Sequence, residues 1–207
     1  GVNYANALAD AQKQGFAEAD PTNDVCGFDA ARKLAILSSI GFRANVTFDD
    51  VLVEGIEKID KSDIQYAKDM GYTIKLLTVA LRQENGIALN VYPAFLPDNH
   101  PLSSVKGAYN AIYVTGNIVD DVMFYGRGAG ALPTASAVMG DVISTAQHIL
   151  NGSTGTGMIM TDTKRIPFYS SLKLQNSYYF RLDVDDVTGV LSQIAAAFAE
   201  NDISICE

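Results

Sequence analysis

Cysteine is scarce in this 207-residue chain: Cys26 and Cys206 are the only two, near opposite ends and without a CxxC spacing. That excludes a disulfide framework and a thiolate zinc site, and it fits a reducing cytoplasm. Basic residues are outnumbered, 15 Lys and Arg against 24 Asp and Glu, for a net charge of −9. Such a chain repels phosphate backbones and anionic membranes, so neither nucleic acid nor a membrane surface is the expected partner. Long hydrophobic runs are missing: stretches such as Leu34 to Ile40 fall far short of the ~20 residues that span a bilayer. Internal repeats and low-complexity segments are missing too. The chain also lacks a signal peptide, opens on Gly1, and stops at Ile205-Cys206-Glu207 as a strand-like run begins, which reads as a piece excised from a longer protein.

What is present is a globular composition, 48% hydrophobic and 19% charged, over a length that allows one domain or a domain and a half. Apolar Ala5, Leu8 and Ala9 predict a short helix ending at Gly15, followed by a carboxylate-rich turn from Glu18 to Asp24 that Pro21 keeps out of a helix. Residues 27–42 read as a helix with Phe28, Ala31, Leu34, Ala35, Leu37 and Ile40 apolar on nearly every face, the mark of a buried helix. Thr73 to Arg82 and Ile87 to Phe95 read as a hairpin around Glu84-Asn85-Gly86, with Asn-Gly supplying positive φ angles. Ala108 to Thr115 and Val122 to Tyr125 are two more strands. A glycine-rich loop, Gly126 to Gly130, opens a long helix that stops at Asn151-Gly152. Ser153 to Gly157 reads as a flexible linker, and a strand, a helix and an incipient strand follow from Ser177. The expectation is an α+β fold: a mixed β-sheet covered by helices on one face over 1–152, a linker over 153–176, and a second, truncated unit over 177–207.

Asp29 and Lys33 stand four apart on the predicted buried helix, with the acid toward the N-terminus, so their side chains should meet. On a solvated face such a pair is ordinary. In a dry site, the lysine loses proton affinity and becomes able to exchange a proton near neutral pH. Upstream, Glu18, Asp20 and Asp24 suit either a ligand ammonium or metal, or else helix capping by Asp24 and a turn at Asp20-Pro21. The glycine loop is not a dinucleotide fingerprint, since Pro133 holds the third-glycine position and no acidic residue follows about 20 positions on. Cys26, with no basic neighbour in sequence, reads as a small buried residue. His100 and His148 read as structural or surface residues, and the sequence leaves open whether Lys106 and Arg127 face a site.

The run from Ala11 to Lys33 resembles the signature of homoserine dehydrogenase, with Gly15, Asp20-Pro21, Asp24, Gly27, Asp29 and Lys33 at its fixed positions. Asn99 to Ile112 and Phe124 to Thr134 resemble the same family in order and spacing, so the likeness extends to about residue 150. The resemblance implies NAD- or NADP-dependent interconversion of L-homoserine and L-aspartate 4-semialdehyde. It assigns proton exchange to Lys33, its hydrogen-bonded support to Asp29, the substrate's ammonium to Glu18 and a further substrate contact to Asp24. Gly130, with Gly128, would abut the cofactor. The dinucleotide-binding domain of the family, with a lysine and a metal site it carries there, is not in this sequence, so the chain by itself is expected to be inactive and its NAD or NADP preference is not legible.

The segment from Tyr178 to Ile194 resembles the opening of an ACT regulatory domain, a small amino-acid-binding module, with Thr188 in place of a common proline. That implies a monofunctional enzyme type with threonine as effector. The apolar strands imply a homodimer. The competing reading is a non-catalytic amino-acid-binding module using Glu18, Asp24 and Asp29. Lys33 favours the enzyme, because a sensor has no use for a proton-transfer lysine.

Overall fold

Glycines at left-handed positions set the first element boundaries in the computed structural model, which describes residues 4–15, 17–153, 166–168 and 176–206. Helix α1 (Tyr4–Lys13) ends ahead of Gly15 at φ 74°. One turn of helix, α2 (Thr22–Val25), leads through Gly27 at φ 78° into α3 (Phe28–Phe42). A 3-10 turn at Phe48–Asp50 follows, closed by a capping box between Thr47 and Asp50, then the two-residue strand β1 (Leu52–Val53). Asp60 starts α4 (Lys61–Asp69) by accepting from the amides of Ser62 and Asp63, which satisfies donors a helix start leaves unpaired.

The predicted hairpin is present as β2 (Tyr72–Gln83) and β3 (Gly86–Pro97), paired antiparallel from Tyr72 opposite Pro97 to Gln83 opposite Gly86. Its turn differs from expectation. Pairing of Gln83 with Gly86 leaves Glu84 and Asn85 as the loop, neither with positive φ, and the glycine conformation falls on Gly86 at φ 153° as the first residue of β3. β1 runs parallel to β3, giving a mixed sheet of order β1-β3-β2.

As the central strand, β3 is buried without a break from Gly86 to Val91. Ile87, Leu89 and Val91 form the core with Ala31, Leu34 and Ala35 of α3 and with Ala44, Val46 and Val51 beyond it. Ala31, Leu34, Ala35 and Ser38 recur at helical spacing, and that stripe is what α3 lays on the sheet. The expectation of a helix buried all round is corrected here: Ile36 is 62% exposed, and Leu37 and Ile40 are also exposed. Hydrophobicity on every face marks a helix that needs cover on every face, and the described residues supply cover on one.

β4 (Tyr109–Gly116) and β5 (Asp120–Arg127) pair antiparallel around a three-residue loop, with Asp120 left-handed at φ 53°. The expectation of one sheet joining them to the hairpin is also corrected, because among the described residues they form a separate two-stranded sheet. The long helix is α5 (Ala131–Leu150), with none of its residues buried. Residues of the expected linker lie largely outside the described set. Of those that are described, residues 166–168 pair with the start of β3: Ile87 N donates to Pro167 O at 3.0 Å, and Ile166 packs on the core.

Contacts divide the chain into residues 1–175 and 176–207. In the second unit, Gly189 at φ 95° starts α6 (Val190–Glu200). The strands expected from Ser177 and Ile203 are absent among the described residues. A strand exists only through a partner's amides and carbonyls, and this unit provides no such edge; Phe180 instead rests on Phe198 of α6, with ring centroids 5.4 Å apart. No helix among the described residues is long and apolar enough to cross a membrane.

Candidate active site

The carboxylate-rich turn is built by its own side chains. Gln12 Nε2 of α1 donates to the carbonyl oxygens of Glu18, at 2.9 Å, and Ala19, tying the turn back to the helix before it. Asp20 Oδ1 accepts from the amide and the hydroxyl of Thr22, the latter at 2.6 Å, and these bonds, the hydroxyl's first, hold its carboxyl below the ordinary aspartate range. Turn formation at Asp20-Pro21 is therefore realised. Capping of the long helix by Asp24 is not: α3 starts at Gly27 without a side-chain cap, and Asp24, inside α2, accepts from the Glu18 amide at 3.4 Å. The structure thus brings Glu18 and Asp24 together.

On α3, Lys33 Nζ donates to Asp29 Oδ2 at 2.6 Å, as the i, i+4 spacing predicts. The side chains are 66% and 48% exposed. The expected dry site is corrected by these values, since an exposed pair contributes at most about 1 kcal/mol and leaves the lysine in water. Two open grooves are present, of about 370 and 490 Å³. The first lies along α3 between Arg32 and Phe48 and the second along α5; neither is lined by Glu18, Asp24, Asp29 or Lys33.

Gly27 places α3 on the sheet. A Cβ there would lie 3.1 Å from Val91 Cγ1 and 3.3 Å from Val53 Cγ1, in a backbone conformation that L side chains rarely adopt. The glycine loop after β5 has its own internal reasons. Gly128 donates its amide to Ala108 O at 3.0 Å, and a Cβ on it would fall 1.5 Å from Asn110 Nδ2. Gly130, at φ 122°, begins α5. Arg127 lies over the Tyr109 ring, which stacks on Tyr125, so this side chain is engaged by the sheet.

Comparison with known proteins now separates the readings. The sequence model of the homoserine dehydrogenase family matches residues 1–143. The chain belongs to that family. A homoserine dehydrogenase of Mycobacterium tuberculosis is 45% identical over 212 residues, an alignment covering 100% of this chain and 48% of that protein. The crystal structure of a homoserine dehydrogenase from Thiobacillus denitrificans superposes with a TM-score of 0.88 at 36% identity, covering 100% of this chain and 48% of that one. A hyperthermophilic archaeal homoserine dehydrogenase solved with NADPH matches at a TM-score of 0.56 and 27% identity, over 71% of this chain and 41% of that one. The chain spans about half the length of the curated relatives it matches.

All six residues singled out from sequence, Glu18, Asp24, Asp29, Lys33, Gly128 and Gly130, fall inside the matched span, whereas residues 177–207 fall outside it. Other polar interactions lie within the span that matches the homoserine dehydrogenase family. Cys26 is half-buried rather than buried, and its thiol, donated to Glu57 Oε2 at 3.4 Å, is pushed up by burial and then by that carboxylate, the opposite of a reactive cysteine. Lys75 donates Nζ to Val105 O and is pushed down by burial and by Lys106. His100 fits its structural reading: Nδ1 accepts from the Leu102 amide at 3.2 Å and its ring lies against Tyr113. Among the described residues, no cluster of metal-ligating side chains occurs.

Proposed function

We propose that this chain is the substrate-side part of an NAD- or NADP-dependent homoserine dehydrogenase, interconverting L-homoserine and L-aspartate 4-semialdehyde. The observation that carries the reading is the 2.6 Å pair of Lys33 and Asp29 on one helix, set in a sequence that holds every fixed position of the family signature. A nicotinamide cofactor, when bound, would supply the hydride acceptor. As hydride leaves the carbinol carbon, the hydroxyl proton passes to Lys33 Nζ, with Asp29 holding that nitrogen in place. Lys33 takes that proton in its neutral amine form and returns it to the carbonyl oxygen in the reverse direction. Glu18 takes the substrate ammonium, and Asp24, hydrogen-bonded to the Glu18 amide, sets the turn that presents it. Gly130 and Gly128 would lie against the cofactor, where a backbone without side chains permits close approach; the rest of its binding belongs to the dinucleotide-binding part.

The assembly expected from sequence remains part of this proposal. Exposed Ile112, Val114, Phe124 and Tyr125 of β4 and β5 suit burial against a second copy in a homodimer. Residues 177–207 would open an ACT domain that binds threonine as effector, and two unpaired cysteines suit a cytoplasmic enzyme. The decisive test is Lys33→Ala in the full-length parent, which lowers kcat by on the order of 10²–10⁴, the usual worth of general acid–base catalysis. Unchanged turnover in a folded variant removes Lys33 from the chemistry and the reading with it.

A further inference from the structure

We propose that Arg32 is a positioning residue for the reaction: it ties α2, which carries Asp24, to α3, which carries Lys33, and so sets the gap between the substrate-recognising turn and the proton-transferring lysine. The inference rests on the function proposed above. Arg32 Nη1 donates to Asn23 Oδ1 at 2.8 Å, across nine residues and from one helix to the next. The guanidinium carbon also lies 5.3 Å from the Phe48 ring centroid, and Phe48 packs edge-on against Phe28 at the start of α3, centroids 5.9 Å apart. A planar cation held by a hydrogen bond and by an aromatic face is fixed in both position and orientation.

Backbone contacts hold the joint on its sheet side, where Ile56 N donates to Val25 O at 2.9 Å, but little bridges its two helices on the outer side. α3 has no side-chain cap, and Gly27 N reaches Asp24 O at 3.4 Å, a long bond. Among the described residues, the Arg32–Asn23 bond is the side-chain hydrogen bond that links these two helices. Arg32 stands about 100° round the helix from Lys33, and its partners are Asn23 and Phe48 rather than the Asp29–Lys33 pair, so it acts on the substrate through Asn23 and its neighbour Asp24.

The test uses the full-length parent enzyme with Arg32→Lys, Asn23→Ala and the double variant. Lysine keeps the charge but not the planar fork. Each single change raises KM for L-homoserine roughly tenfold, short of the ~10² that a 1 Å misplacement of reacting groups can cost, with kcat and KM for the nicotinamide cofactor within about threefold of the parent. The double variant is no worse than the worse single, because the two residues act as one unit. A purely structural role would instead lower the melting temperature without this split. Unchanged homoserine KM in folded single variants, or additive effects in the double, overturns the proposal. Lys33→Ala run alongside separates the failures. Lost turnover there with parental KM in the Arg32 variants sinks this inference alone, and retained turnover sinks both.

Discussion

Gly55→Ala should be far more damaging than its single added carbon suggests. Gly55 has no left-handed φ, so the issue is room. A Cβ there would lie 2.3 Å from Val25 O, 2.7 Å from Cys26 Cα and 3.1 Å from Cys26 C, whereas carbon and oxygen ordinarily approach no closer than about 3.3 Å. The obstacle is backbone, and it is held. Ile56 N donates to Val25 O at 2.9 Å and Glu54 N to Val91 O at 2.7 Å, one bond on either side of the glycine. Relief requires a shift of about 1 Å in the segment that carries α2 into α3. Overpacking of this kind costs about 1–3 kcal/mol, and weakening the Ile56–Val25 bond adds about 0.5–1.5 kcal/mol. The sum, about 2–4 kcal/mol, lowers the melting temperature by roughly 5–15 °C for a domain of this size. Thermal unfolding of the 207-residue chain, followed by circular dichroism, measures it. Gly41→Ala is the control, because a Cβ there meets nothing within 4 Å and alanine suits a helix better than glycine. A Gly55→Ala melting curve superimposable on the parent's would refute the tight approach of Gly55 to the Val25 carbonyl.

Gly128→Ala should behave in the opposite way. Its obstacle is the end of the exposed Asn110 side chain, which can swing into water, so stability changes by no more than about 0.5 kcal/mol. If the proposed cofactor contact is right, KM for the nicotinamide cofactor rises in the full-length enzyme, and parental cofactor kinetics would remove Gly128 from that contact. For Asp20, the bonds from Thr22 lower the folded-state pKa from the ordinary 3.8. Its stabilising effect is therefore present above that value and lost as pH falls through the lower folded value. Denaturant titrations should show the parent more stable than Asp20→Asn at about pH 6, with the gap shrinking as pH falls below 3.8; a gap that does not shrink in acid contradicts the assignment. The chain alone, assayed with L-homoserine and either NAD or NADP, should show background oxidation only, and measurable turnover would show that the dinucleotide-binding part is dispensable.

Much of the fold was legible because local rules decide it. The i, i+4 spacing of Asp29 and Lys33 dictated their contact, and Gly15 marked a helix end through a conformation other residues avoid. The hairpin was legible from its turn, though only the glycine of the Asn-Gly pair takes a positive φ and pairing puts the loop on Glu84 and Asn85. Three things were not legible. Exposure of Lys33 depends on what covers the outer face of α3. The separation of β4 and β5 from the main sheet depends on which edges meet. The unformed strands at Ser177 and Ile203 depend on a pairing partner, which propensity does not encode.

The sequence by itself determined the chemistry on offer. A lysine and an aspartate one helical turn apart, a carboxylate-rich turn just upstream and the glycines between them are local features, and their meaning survives without knowledge of any distant contact. Only the tertiary structure decided how those pieces are held. The Gly55 segment pressed against Val25 and Cys26, Glu57 reaching Cys26 across 31 positions, and Val91 and Val53 closing over Gly27 join residues far apart in the chain. Arg32 gripping Asn23 while lying on Phe48 is of the same kind. Such contacts depend on packing, in which each side chain's place is set by the volume its neighbours leave, and no spacing rule within one segment specifies that volume.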